Sequence, residues 1–201
     1  MKVIIWSSKG KCIPAYRKLM SGCDVLCLLD CGDWTIKDDA RMIQPGLYRW
    51  QEEKEGFACD VLYCVEGVAM IVRNGWYDRA ATVYNVHPNI KSLVGIKLKG
   101  DFWLFATKDT DKANSWPISE FYLREISDRF GKAAFASAFG NKEHRLRKEI
   151  IGSLCRVSPP QGIQPETSNY LFTVRVACTD KYLIEGYDGF PNPPTLFEID
   201  F

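Results

Sequence analysis

The sequence predicts an α/β fold in which β-sheets pack on each other or on helices, and three observations predict it. Short apolar runs rich in β-formers recur through the first half of the chain, punctuated by Gly and Asn. Segments with helical spacing interrupt them, one near the start and two in the second half. With 201 residues, 46% hydrophobic and 13% aromatic, the chain has enough apolar material for one large core and too little length for two ordinary domains. Residues 1–201 are therefore expected to form a single domain.

The first run, VIIW at 3–6, leads into PAYRKLMSG, where Tyr16, Leu19 and Met20 fall at helical spacing and Gly22 supplies a stop signal. DVLCLL (24–29) is the second strand, so the chain opens strand, helix, strand. GVAMIV (67–72), AATVYNV (80–86), SLVGIKL (92–98) and DFWLFAT (101–107) continue the series, with a tight hairpin at Lys99, Gly100 and Asp101. After Ser115 and Pro117, the residues Ile118, Tyr122, Ile126 and Phe130 repeat every four positions, which marks a helix with one core face, and Gly131 follows. AAFASAF (133–139) reads as a short strand, KEHRLRKEIIGSL (142–154) as another helix and SPPQGIQPETS (158–168) as a surface loop. NYLFTVRVACT (169–179) and TLFEIDF (195–201) are closing strands, with DKYLIEG continuing the first of them or forming a short strand of its own.

Lys and Arg total 26 against 25 Asp and Glu, so the summed field gives no general pull toward a polyanion, and any nucleic-acid affinity must come from a local patch. No apolar run approaches the ~20 residues of a bilayer span, and the opening MKVIIWSSKGKC is too short in apolar length for a secretory signal. Both features point to the cytoplasm or another reducing compartment. The eight cysteines are accordingly read as mostly reduced thiols. Cys23, Cys27 and Cys31 recur every four residues, but in an extended strand the outer two stand about 26 Å apart at ~3.3 Å per residue, too far to share an ion. Only His87 and His144 remain to complete a zinc site, so these thiols are read as small buried hydrophobes.

Taken in order, the runs resemble the endonuclease/exonuclease/phosphatase (DNase I-like) superfamily. VIIWSSKG resembles a first family strand reading roughly "ITWNVNG", and Ser7 stands where that strand supplies a metal-site Asn. DVLCLLD resembles "DVLCLQE", and Asp30 stands at the Glu that is the main carboxylate ligand for Mg²⁺. GVAMIVRNG is close to "GVAILSR", the most specific single match. DFWLFATKD resembles the strand ending "NTHL", with Thr107 at the His of the phosphate site. RFGKAAFASAFGN resembles the passage ending "GDFN", with Ala138 and Gly140 at its Asp and Asn. TDKYLIEG and GFPNPPTLFEIDF resemble the last strand pair, with Pro191 and Asn192 at the catalytic Asp and His. Each motif alone is weak; their collinearity from one end of the chain to the other is what carries the likeness. It implies a sandwich of two packed mixed β-sheets flanked by helices.

The substitutions decide what the resemblance implies for chemistry. Phosphodiester hydrolysis of this kind needs a hard cation on carboxylate oxygens, a base to orient water, and donors on the phosphate. The aligned positions offer one carboxylate, Asp30, a methylene shorter than the Glu it replaces, and otherwise Ser7, Thr107, Ala138, Gly140, Pro191 and Asn192. The expected protein is thus a catalytically inactive nuclease-like module, without cofactor, that binds a protein or nucleic-acid partner. The alternative is a divergent Mg²⁺-dependent phosphodiesterase whose metal site is rebuilt around Asp30 from Asp33, Asp180, Asp188, Asp109 and Asp111. Asp residues at strand ends are more commonly turn formers and solvated charges.

Other constellations are weaker. Cys12 or Cys31 with His87 or His144 would make a nucleophile and base, but no local signature surrounds them, and the chain has neither a Walker loop nor GxGxxG. The most basic stretch holds Arg129, Lys132, Lys142, His144, Arg145, Arg147 and Lys148, interleaved with Glu143 and Glu149. Such a strip is usually a solvated helix face; Arg129, Lys132, Lys142, Arg145 and Lys148 are the candidates for contacting a partner. Trp34, Trp50, Trp76 and Trp116 fall in loops or at element ends, where a Trp is either a lid over the sheet or an interface anchor.

Overall fold

The computed structural model describes residues 1–7, 10, 16–54, 57–65, 67–84, 93–107, 128–140, 153–156, 167–187 and 193–200. The chain opens with β1 (Lys2–Ser7), α1 (Tyr16–Met20) and β2 (Val25–Leu29), followed by β3 (Arg41–Gln44), β4 (Leu47–Lys54), β5 (Phe57–Cys64) and β6 (Val68–Arg73). Next come β7 (Tyr77–Tyr84), β8 (Val94–Leu98), β9 (Phe102–Ala106), β10 (Lys132–Gly140) and β11 (Ser153–Arg156). The last three are β12 (Thr167–Val174), β13 (Ala177–Leu183) and β14 (Thr195–Asp200). They form an eight-stranded sheet in the order β13-β14-β1-β2-β6-β5-β4-β3 and a six-stranded sheet in the order β11-β12-β10-β9-β8-β7. Both sheets are mixed: β1 runs parallel to β2, joined through α1, and β9 runs parallel to β10.

Why these residues make a sandwich is visible in β1. Val3 and Ile5 enter the core between the sheets, while Ile4 and Trp6 enter a second core on the outer face of the larger sheet, all four essentially inaccessible. A strand covered on both faces reads as an unbroken apolar run, as β1, β2 and β6 do. The inner core is completed from the smaller sheet by Val94, Ile96, Leu98, Phe102, Leu104, Ala106, Ala134, Ala136 and Leu171. Outside, Tyr16, Leu19 and Met20 of α1 pack on the larger sheet together with Trp34, Trp50 and Tyr63.

Trp34 is therefore a lid on the outer face, whereas Trp50, expected in a loop or at an element end, lies within β4 with its ring buried on that face; Trp76 is half-buried against the inner core, and Trp116 lies outside the described residues. Cys27 points between the sheets, whereas Cys23 and Cys31 belong to the outer core. Burial pushes the Cys23 thiol up to about 12 and raises that of Cys27 as well, as expected of thiols acting as small hydrophobes. Cys31 is buried too, and its supposed partners His87 and His144 lie outside the described residues, as does Cys12.

Three corrections to the sequence reading have physical causes. The strands β3, β4 and β5 stand where no element was predicted. In β4 the side chains of Trp50 and Glu52 share the outer face, and Glu52 is buried there, so the charged stretch QEEK masks an alternating strand. The run NYLFTVRVACT is two strands rather than one: Arg175, with φ of 56°, turns the chain after β12, and β13 joins the other sheet. Ser153 and Leu154 belong to strand β11, where they pair with Thr173 and Phe172 of β12, not to a helix ending at 154. Of the predicted core helix, Ile118, Tyr122 and Ile126 lie outside the described residues, while Phe130 packs on Trp103 and Phe105 of β9 with centroids 4.7 and 5.2 Å away. Residues 142–152 of the helix predicted over 142–154 and most of the loop 158–168 also lie outside them.

Candidate functional site

At one end of the sandwich the inward-facing apolar stripes of three strands turn polar. Along β1 the inner face runs Val3, Ile5, Ser7; along β12 it runs backward from Thr173 through Leu171 to Asn169; along β14 it runs backward from Ile199 through Phe197 to Thr195. Ser7, Asn169 and Thr195 are 7%, 3% and 2% exposed, so their polar atoms must find partners within the protein. They find one another. The Ser7 N–H donates to Asn169 Oδ1 at 3.3 Å, and Asn169 Nδ2 donates to the Pro193 carbonyl at 2.9 Å and to Thr195 Oγ1 at 3.2 Å. One neutral carboxamide thereby ties β12 of the smaller sheet to β1 and to the start of β14 in the larger one.

The aligned positions gather around this amide. Ser7 pairs with Leu29, so Asp30 is the next residue across the β1–β2 pair. Asp30 is half-buried, turns the chain with φ of 58°, and accepts the Gly10 N–H at its own carbonyl at 2.8 Å. Thr107 follows β9, is 4% exposed, and donates its N–H to the Ala136 carbonyl at 3.1 Å. Ala138 is the register partner of Asn169, and Gly140 closes β10 opposite Thr167. Pro191 and Asn192 lie outside the described residues. Ser7, Asp30, Thr107 and Ala138 thus share one edge, at the C-terminal ends of the parallel strands β1, β2, β9 and β10.

The loops at this edge approach each other through glycines. A Cβ added to Gly32 would sit 3.1 Å from the Gly10 Cα, and both residues have positive φ, 70° and 82°. Only glycine combines that backbone with that approach.

Among the described residues no ligand set for a magnesium ion is assembled. A magnesium centre asks for near-octahedral oxygen ligation at ~2.1 Å, usually from one or two carboxylates together with waters and substrate phosphates. Asp30 is the one carboxylate at the aligned positions, and among the described residues no three His, Cys, Asp or Glu side chains come together. Asp180, a member of the rebuilt cluster considered above, pairs with Glu198, which pairs with Lys2 at the opposite end of β1. That end is about 16 Å from Ser7 at ~3.3 Å per residue. Asp109, Asp111 and Asp188 lie outside the described residues.

The basic candidates behave differently. Arg129 and Lys132 are exposed and sit at the start of β10, the far end from Ala138; the Arg129 guanidinium lies 5.6 Å from the Phe130 ring centre. Lys142, Arg145 and Lys148 lie outside the described residues. The residues the sequence reading missed are Asn169 and Thr195. Asn169 opens the predicted strand 169–179, its parity with Leu171 places it on the inner face, and a polar residue at an inward position is the signal that would have found it.

Two mixed sheets packed face to face, with the parallel strands ending at one polar edge, make a sandwich of the DNase I-like kind. No family model matches the sequence, and no curated protein is similar to it at the sequence level. Solved structures are. The NExo 3′ phosphatase from Neisseria, bound to a product DNA hairpin, superposes with a TM-score of 0.59 at 13% identity, over 100% of both chains. A protein of unknown function from Enterococcus faecalis gives 0.57 at 12%, covering 100% of this chain and 99% of its own. An AP endonuclease from Archaeoglobus fulgidus gives 0.55 at 11%, over 100% of both. At such identities the likeness shows the fold alone, and the chain has the fold that its six collinear motifs resemble. Among the described residues, no helix is long and apolar enough to cross a membrane.

Proposed function

We propose that this chain is a catalytically inactive module on a DNase I-like scaffold, acting by binding a protein or nucleic-acid partner. The observation that carries the reading is the Asn169 carboxamide, hydrogen-bonded to Ser7, Pro193 and Thr195 at the strand-end edge. Where hydrolysis would need several charges to hold a cation and a phosphate, the described residues of this edge offer the single carboxylate of Asp30 beside neutral groups that satisfy one another. Binding is supported by the scaffold: a solved protein of the same fold holds a DNA hairpin. Arg129 and Lys132 are the exposed candidates for phosphate contact.

The test is hydrolysis of DNA, RNA and phosphoester substrates with Mg²⁺ or Mn²⁺, alongside DNA and RNA binding as a function of salt. The expected result is no turnover above background. Turnover that Asp30→Ala abolishes without lowering stability would replace the inactive reading with the rebuilt metal site. A nucleic-acid partner predicts binding that weakens with salt and with Arg129→Gln and Lys132→Gln; salt-insensitive or absent binding directs the search to a protein.

A further inference from the structure

Away from this edge, on the outer face of the larger sheet, one carboxylate is ringed by donors from three segments. Glu52 of β4 is 8% exposed. Tyr16 Oη of α1 donates to its Oε2, with Arg17 Nη2 3.6 Å from the same oxygen. Lys37, in the connection between β2 and β3, places Nζ 3.0 Å from Oε1, and Trp50 Nε1 donates to Oε1 at 3.3 Å. Across the sheet Glu52 faces Cys59, beside Asp60 of β5. Next to it lies an aromatic cluster: Trp34 is 5.2 Å from Tyr16, 5.8 Å from Trp50 and 5.8 Å from Tyr63, centre to centre. The Tyr63 hydroxyl separately anchors the start of the same connection, accepting the Trp34 N–H at 3.2 Å and donating to the Gly32 carbonyl at 3.3 Å.

We propose that Glu52 is a charge-dependent clasp: its ionised carboxylate fastens α1 and residues 35–40 to β4, and neutralising it loosens both and wets Trp50. The reasoning is one of alternatives. Four donors converge on two oxygens, and two of them, Lys37 and Arg17, have exposed side chains that return to water at little cost. Residues 32–34 keep their Tyr63 anchor when Glu52 is neutralised, so loosening is confined to the stretch beyond it. Ile36 and Lys37 already stand exposed there. Burial alone would raise the Glu52 pKa, but the hydrogen bonds from Tyr16, Lys37 and Trp50 and the Lys37 charge reverse this and lower it overall. A group with a lowered folded pKa stabilises above its unfolded value, and that contribution fades as pH falls through the folded one. The clasp is therefore shut at neutral pH and opens on acidification, below the ordinary Glu range.

The experiment is hydrogen exchange on the full chain across pH, read as protection factors corrected for intrinsic exchange, together with the tryptophan emission maximum. In Glu52→Gln, protection at 16–20 and 35–40 is expected to fall at neutral pH by about tenfold or more, roughly what one charge-assisted hydrogen bond contributes. β1, β2 and β6 should stay protected, and the acid-induced red shift of the wild type should vanish. Unchanged protection in Glu52→Gln, or an acid transition that survives in it, overturns the proposal. Should that variant fail to fold, Lys37→Met removes one exposed arm and is expected to move the opening to higher pH; an unmoved transition overturns the proposal equally.

Discussion

Replacing Asn169 by Ala tests the inter-sheet tie most directly. The substitution deletes one acceptor and one two-proton donor and strands the Ser7 N–H, the Thr195 hydroxyl and the Pro193 carbonyl. Pro193 is only half-buried, so its carbonyl turns to solvent at little cost, whereas Ser7 and Thr195 are almost fully covered. Leaving a buried polar group without a partner costs about 1–3 kcal/mol, and two such groups set an upper limit near 6 kcal/mol. The Thr195 hydroxyl can rotate, and the vacated space accepts a water if it exceeds the ~30 Å³ that water occupies. The expected loss is therefore about 2–4 kcal/mol. Asn169→Leu keeps the volume and bars the water, so it should cost at least as much as Ala, the reverse of what an apolar site would give. Urea unfolding followed by tryptophan fluorescence reads both, provided the slope stays constant. A loss below about 0.5 kcal/mol for Ala, typical of surface changes, or clear stabilisation by Leu, would refute the tie.

Other outcomes follow from the same packing. Gly32→Ala should cost about 1–2 kcal/mol or more in denaturant unfolding, since the new methyl meets the Gly10 Cα at 3.1 Å with φ at 70°. Leu104→Ala, fully buried between the sheets, should lose about 2–5 kcal/mol; a loss in the surface range would mean that the two sheets do not share that core. On the inactive reading the melting temperature should not respond to exchanging millimolar Mg²⁺ for EDTA, because a cation that does not bind the native state cannot stabilise it; a shift of several degrees would contradict that reading.

How much of this was legible depended on whether burial left a period in the sequence. The central strands β1, β2 and β6, buried on both faces, announce themselves as apolar runs, and the order of such runs was enough to point to the fold. β4 did not, because its outer face ends in Glu52, a buried charge whose partners Tyr16 and Lys37 come from distant segments. Nothing local marks QEEK as half-buried. Asp30 and Ser7 were found by alignment of strand ends, and the geometry sets them side by side. Asn169 was missed because its role is defined by Ser7, at a separation of 162 residues, and by Thr195, at 26, and pairings of that range leave no local trace. The break between β12 and β13 was hidden by Arg175 taking a backbone conformation that usually announces itself as glycine.

The placement of β1 has a consequence for how the protein is made. It lies inside the larger sheet, flanked by β2 on one side and β14 on the other, with Lys2 opposite Glu198 and the Met1 carbonyl accepting the Ile199 N–H at 2.8 Å. β1 is made before β14 and therefore waits for it before one of its two edges is filled. Closing so long a loop is entropically slow, and until it closes the VIIW edge stays open to pairing with other chains. The larger sheet should close only once β14 has been made, through a state in which β2 to β6 are assembled and β1 is held on one side only. Chains halted ahead of Thr195 should aggregate rather than persist as partly folded monomers, and yield on expression should depend more on temperature and chaperone supply than on the stability of the finished sandwich.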